Sequence, residues 1–395
     1  MSTASMPVTS PASEGVQVRT QTTRKPFPFL NLKAQYAEIE TSVRDALDRV
    51  LSSQVFILGE EVNAFEAEMA SVIDAPHAIG CASGSDALLL SLMALEVGPG
   101  DEVITTPFTF VATVGAVVRL GARPVFVDID SATFNIDSSQ LDAAVSARTR
   151  AIIPVHLFGL AADMDRVMEI ATTKNIPVVE DAAQAIGARY RGRTVGSFGA
   201  TGCFSFFPSK NLGGAGDGGL ITTASRALAE RLRLLRAHGA KTKYHYDLVG
   251  INSRLDSLQA AILRAKLPHL HRWSESRIDN AGRYRRFFAD AGLLDVITLP
   301  TSSAGSVHVY NQFTIRTRER DRLRDFLKDR GIPSEIYYPV PLHLQRAFEF
   351  LGYKQDQFPK AESASREVLS LPIGPTLQPQ QQAEVVEVIA GFYGR

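Results

Sequence analysis

From Asp101 onward the chain alternates short β-branched runs with helical patterns, and that alternation constrains its fold more tightly than any other feature. The runs 102–106, 124–128, 151–155, 177–179, 203–206 and 220–223 are rich in valine, isoleucine, threonine and phenylalanine, and helical patterns such as 110–120 and 164–174 separate several of them. Strands alternating with helices predict an α/β fold, a mainly parallel sheet covered by helices on both faces. Open sheets of this kind bind ligands at the carboxyl ends of their strands. At 395 residues the chain can bury a large core and is expected to divide into a large domain, 27–270, and a smaller α+β domain, 271–395. The segment 254–267, apolar at Leu255, Leu258, Ala261, Ile262 and Ala265, reads as a helix entered at Asn252-Ser253 and suited to an interface. Beyond Trp273 a basic helical segment, 277–286, leads to the run 310–315 and a helix at 321–330 that Gly331 and Pro333 terminate.

One lysine stands between an apolar strand and a glycine-rich turn, in Phe204-Ser-Phe-Phe-Pro-Ser-Lys210-Asn-Leu-Gly-Gly-Ala-Gly-Asp-Gly-Gly219. Phe204, Phe206 and Phe207 imply a largely buried strand. Burial disfavours an ammonium, so the lysine becomes a free amine able to attack a carbonyl. Alone, such a lysine reads as a surface residue whose stem packs while its head stays wet, and its companions must decide.

Two companions lie upstream. Ser83-Gly84-Ser85-Asp86 precedes the strong helix formers 87–95, so Ser85 or Asp86 reads as an N-cap. The free N–H groups and dipole of such a terminus favour an anion, and Gly84 lets the backbone approach it. An ordinary capped helix is the alternative. Val178-Val179 is followed by Glu180-Asp181, which places two acids at the carboxyl end of a short buried strand. A carboxylate there can hold a pyridine nitrogen protonated and make the ring an electron sink. At about 4 Å and an effective dielectric of about 20, that pairing is worth roughly 4 kcal/mol, or about three pKa units. Asp181 can equally cap a helix beginning at Ala182-Ala183. Phosphate loop, aspartate and lysine together are the parts needed to hold pyridoxal phosphate (PLP).

The order of these parts is that of the fold-type I PLP enzymes. The segments Glu-Asp-Ala-Ala-Gln (180–184), Phe-Phe-Pro-Ser-Lys-Asn-Leu-Gly (206–213), Gly-Asp-Gly-Gly (216–219) and Gly-Ile-Asn-Ser-Arg-Leu-Asp-Ser-Leu-Gln-Ala-Ala (250–261) resemble the nucleotide-sugar aminotransferases of the DegT/StrS family, from about Phe29 to the C-terminus. The resemblance implies that Lys210 carries the cofactor covalently and that Asp181 pairs with its pyridinium. It also implies that Gly84, Ser85 and Ser205 hold the phosphate, that Gln184 lies against the ring or near its 3-hydroxyl, and that Phe110 stacks on the ring face unless it is a core aromatic. Asn252 is expected to reach the cofactor phosphate of a second subunit, which implies a homodimer with active sites at the interface. The family reaction implies transfer of an amino group from L-glutamate to a UDP- or dTDP-linked keto sugar in amino-sugar and polysaccharide biosynthesis. The loop 241–252 looks more like members that aminate a 3-keto sugar than those that act on a 4-keto one. Tyr337-Tyr338-Pro339-Val340-Pro341-Leu342-His343 resembles the segment that approaches the sugar, with Tyr338 and His343 as substrate candidates; a packed extended segment is the other reading. Lys241, Lys243 and Arg254 are candidates for the diphosphate, or plain solvated charges. A fold-type I enzyme acting on small amino acids is a further alternative, although no arginine stands out to clamp an α-carboxylate.

Equal numbers of acidic and basic residues, 42 of each, give no global field for nucleic acid or an anionic membrane. Gly214-Ala-Gly216-Asp-Gly-Gly219 fits a dinucleotide fingerprint, but Leu220-Ile-Thr-Thr reads as a strand where that motif requires a helix. Residues 1–26, rich in serine, threonine and proline, read as a disordered leader with no secretory or transmembrane character, so a cytoplasmic location is expected. Cys81 and Cys203 read as packed, reduced thiols; with His269 and His271 on different helix faces, no metal site is expected. A binding protein without catalysis needs neither a lysine nucleophile nor an electron-sink aspartate, and a PLP-binding regulator would need a nucleic-acid-binding segment that 1–28 is too short to supply.

Overall fold

The computed structural model describes residues 27–242 and 244–395. The expected leader 1–26 and the candidate Lys243 lie outside the described residues.

Seven strands build the central sheet: β1 (His77–Cys81), β2 (Glu102–Thr105), β3 (Arg123–Phe126), β4 (Thr149–Ile152), β5 (Val179–Asp181), β6 (Thr201–Ser205) and β7 (Gly219–Thr223). Hydrogen bonding orders them β1-β7-β6-β5 and β4-β2-β3, and parallel bridges Ile152 to Val178 and Val155 to Asp181 join the two halves. Only β7 runs antiparallel to its neighbours; the other pairings are parallel. Consecutive strand residues point to opposite faces. Phe204 and Leu220 enter one core with Phe65 and Ile152, whereas Cys203 and Ile221 enter another with Leu88, Leu90 and Val179. Because both faces are covered, the strands carry apolar residues on both, which is why the alternation of strand and helix was legible.

Several boundaries differ from expectation. The predicted helix at 254 begins at Ser257 and runs to Lys266. The preceding residues stay extended because Ser253 Oγ accepts the Ala82 N–H at 3.1 Å and Leu255 is drawn into the core. The basic segment 277–286 is the interior of a longer helix, Leu270–Asp290, that already includes Trp273. Phe207, expected in a buried strand, is 53% exposed, because β6 ends at Ser205 and the chain turns there so that Phe207 lines the cavity that also holds Lys210. Helix Arg320–Asp329 ends with Gly331 at φ +71°, the left-handed terminus that glycine tolerates best.

Past residue 270, the strands Phe313–Arg316 and Val368–Leu371 pair antiparallel. With helices Leu270–Asp290, Arg320–Asp329 and Pro379–Phe392 they enclose a separate apolar cluster containing Tyr284, Phe288, Phe313 and Ile389, which Phe27 also joins. Among the described residues no helix is long and apolar enough to cross a membrane.

Candidate active site

A cavity of about 440 Å³ opens where β1, β5 and β6 end. Lys210 lines it, carried on a tight turn in which the Lys210 N–H donates to the Phe207 carbonyl at 2.8 Å and the Gly214 N–H to the Phe206 carbonyl at 2.7 Å. Burial lowers the Lys210 amine from 10.5 to about 8, against the opposing pull of the Asp181 charge.

Asp181 closes β5 and is buried. Its backbone is held on both sides, by the Pro154 carbonyl at 2.9 Å and the His156 N–H at 3.0 Å. One carboxylate oxygen accepts from Thr113 Oγ1 at 2.7 Å and the other from the Ala183 N–H at 3.2 Å. Burial raises the Asp181 pKa, and those two bonds with the Lys210 charge only partly offset it. The bond to Ala183 caps a turn, since no helix follows at 182–188.

At the other wall, helix Gly84–Ala94 points its N-terminus at the cavity, with Gly84 and Ser85 lining it. The cap is Ser83, whose Oγ accepts the Asp86 N–H at 3.1 Å, and not Ser85 or Asp86 as expected. The extended backbone of Ser83 places the cap two residues earlier and leaves Ser85 in the first turn. A Cβ on Gly84 would lie 2.7 Å from the Ser205 Cβ, so glycine is what lets the helix end and the end of β6 meet. Phe110 is 54% exposed and lines the cavity; the core aromatic of its segment is Phe108. Gln184 and Tyr338 line the opposite side and are bonded to each other at 3.0 Å.

Other candidates lie elsewhere. His343 is buried with Nε2 3.0 Å from Glu362 Oε1 and packs its ring on Phe358; it is a core residue, because the chain after Pro341 turns inward, and not a cavity residue. Asn252 is exposed and bridges to Ala237, and Lys241 is exposed on the hairpin Ala240–Thr242/His245–Tyr246. Neither these two nor Arg254 lines the cavity of its own subunit.

Sequence reasoning missed three supports. Glu180, wholly buried, accepts from His156 Nε2 at 3.1 Å and from the N–H groups of Gly196, Phe198 and Gly199 at 2.7–2.8 Å. The strand period of two would have put Glu180 on the face opposite Asp181 and signalled a separate role. Thr113, in the first turn of helix Val111–Arg119, is bonded at 2.9 Å to Thr109, which lies just ahead of the helix cap Phe110. Gln312 reaches the cavity from the 310–315 segment and carried no signal in its neighbours.

The arrangement can bind an anion at a helix terminus, protonate a ring nitrogen and present an amine, and comparison with known proteins agrees. The DegT/DnrJ/EryC1/StrS aminotransferase family model matches residues 37–390. A pleiotropic regulatory protein of Geobacillus stearothermophilus is 52% identical over 93% of this chain and 98% of its own. A UDP-N-acetyl-3-dehydro-alpha-D-glucosamine 3-aminotransferase of Acidithiobacillus ferrooxidans is 47% identical over 92% and 97%. The crystal structure of S. venezuelae DesV in complex with a ketimine intermediate superimposes with a TM-score of 0.91 at 44% identity, covering 94% of this chain and all of that one.

Proposed function

The chain belongs to the DegT/DnrJ/EryC1/StrS aminotransferase family and is a PLP-dependent aminotransferase, and we propose that it transfers the amino group of L-glutamate to C3 of a UDP- or dTDP-linked keto sugar in amino-sugar biosynthesis. The observation that carries the reading is the meeting of Lys210 and Asp181 on one cavity from segments 29 positions apart. The name of the A. ferrooxidans relative supports the choice of a 3-keto sugar.

The residues fit the cofactor. Asp181 is a buried carboxylate whose raised pKa calls for a cation, which a pyridinium supplies. Gly84 and Ser85 at the helix terminus meet Ser205 at the end of β6, an approach that a Cβ at 84 would block, and together they would hold the phosphate. When bound, PLP supplies an electron sink for the pair left on the donor's Cα. Asp181 would keep the ring nitrogen protonated, and Phe110 and Gln184, which line the same cavity, would hold the ring. Lys210 would hold the cofactor, and its Nζ, once the donor amine has displaced it, would take the proton from the donor's Cα.

We assign Asn252 and Lys241 to the cavity of a second subunit in a homodimer. Their exposure away from the local cavity supports this, as does the apolar surface beside them, where Tyr246 is 61% and Val249 91% exposed. Residues 27–270 and 271–395 are proposed as the two domains. The buried free thiols Cys81 and Cys203 support a cytoplasmic location.

The test is the absorbance spectrum of the PLP-loaded protein, first with L-glutamate and then with a UDP- or dTDP-linked 3-keto sugar. Loss of the Lys210-linked cofactor band with glutamate and its return with the sugar are expected, and Lys210→Ala should abolish both. Bleaching without recovery would refute the sugar; absence of the band would refute the role of Lys210.

A further inference from the structure

Phe158 occupies the left-handed backbone region at φ +59° and ψ 5°, followed by Gly159 at φ +98°. For a phenylalanine that conformation costs about 1–3 kcal/mol and asks for a compensating contact. The contact is a hydrogen bond from the Phe158 N–H to Gln184 Oε1 at 2.7 Å. A peptide N–H can only donate, so the amide oxygen of Gln184 must face Phe158, and its NH2 group must face the other way. There it donates to the Tyr338 hydroxyl oxygen at 3.0 Å. A phenol has one hydrogen. Since Gln184 is the donor in this bond, that hydrogen is directed to some other acceptor, and the Tyr338 ring lines the same cavity as Lys210.

We propose that Phe158 and Gln184 are positioning residues that leave the Tyr338 hydroxyl hydrogen free to donate into the cavity, and that Tyr338 recognises an oxygen acceptor at the reacting carbon of the substrate. Two substrate groups share that chemistry: the keto oxygen of the amino acceptor and the α-carboxylate of the amino donor. The proposal rests on the transaminase reading above.

Two substitutions test the relay. Tyr338→Phe removes the donated hydrogen. Gln184→Glu keeps the size but reverses the polarity, since a carboxylate accepts from Phe158 and from Tyr338 alike and draws the phenol hydrogen away from the cavity. Both half-reactions are followed by the cofactor band in the wild type, in each single variant and in the double variant of the PLP-loaded protein. Loss of one neutral hydrogen bond corresponds to about tenfold. Tyr338→Phe is therefore expected to raise the half-saturating substrate concentration about tenfold in one half-reaction: the sugar step if the keto oxygen is recognised, the glutamate step if the carboxylate is. The penalty of Gln184→Glu on that step should shrink about tenfold once Tyr338→Phe is present, whatever direct effect Gln184 has on the cofactor. Equal Gln184→Glu penalties in both backgrounds, or a Tyr338→Phe variant unchanged in both steps, would overturn the relay while leaving the transaminase reading intact. A wild-type protein inactive in both steps would instead overturn that reading.

Discussion

Replacing Asp181 by asparagine should make Lys210 more reactive at neutral pH even as it weakens the enzyme. Burial lowers the Lys210 amine from 10.5 to about 8, a difference worth about 3 kcal/mol, and the Asp181 charge holds it from falling further. At pH 7 an ordinary lysine is free amine in roughly one molecule in 3,000, whereas an amine with a pKa near 8 is free in roughly one in ten. The sign of the perturbation follows directly. A nearby anion favours the ammonium, so asparagine, with no charge, must lower the pKa again and enlarge the free fraction below pH 8. The assay is reductive methylation of the cofactor-free protein between pH 6 and 10, with the Lys210 peptide quantified by mass spectrometry. The midpoint of its pH profile is the readout, because the midpoint does not depend on how accessible the amine is. The wild type should show a midpoint near 8 and the Asp181→Asn variant a lower one. A wild-type midpoint near 10.5 would refute the desolvation of Lys210, and an upward shift in the variant would refute the coupling between the two residues.

Glu180→Ala should leave four N–H donors without their carboxylate, that of His156 and those of Gly196, Phe198 and Gly199. Loss of about 3–5 kcal/mol is expected, seen as a lower unfolding midpoint together with weaker PLP binding by fluorescence titration; an unchanged midpoint would contradict the network. His343→Ala should lower the unfolding midpoint through the lost contacts with Glu362 and Phe358 while leaving the half-saturating sugar concentration unchanged. A selective effect on the sugar would return His343 to the substrate site.

The parts of the site that were legible in the chain are those coded by neighbours along it. Lys210 between an apolar strand and glycines, Asp181 after two valines, and Gly84 ahead of a run of helix formers are all local patterns. Asp181 does close a strand, Gly84 does open a helix, and Lys210 does follow a strand on a glycine-rich turn. Local reading failed where a partner far along the chain intervened. The helix at 254 starts late because Ser253 is tied to Ala82, 171 positions away. The same reasoning explains His343, whose tyrosine- and proline-rich segment suggested a substrate loop but whose imidazole is claimed by Glu362.

The contrast between Lys210 and Tyr338 shows where the boundary lies. Lys210 owes its place to a turn made of its own neighbours, so it could be singled out from sequence order alone. Tyr338 owes its polarity to Gln184, 154 positions away, which in turn answers to a strained peptide at Phe158. Fold class, cofactor chemistry and family follow from short-range patterns because backbone propensity and strand burial are short-range effects. The direction of each hydrogen bond, the charge state of Lys210 and the burial of His343 come from packing between distant segments, since desolvation and donor pairing depend on which atoms the completed fold brings together.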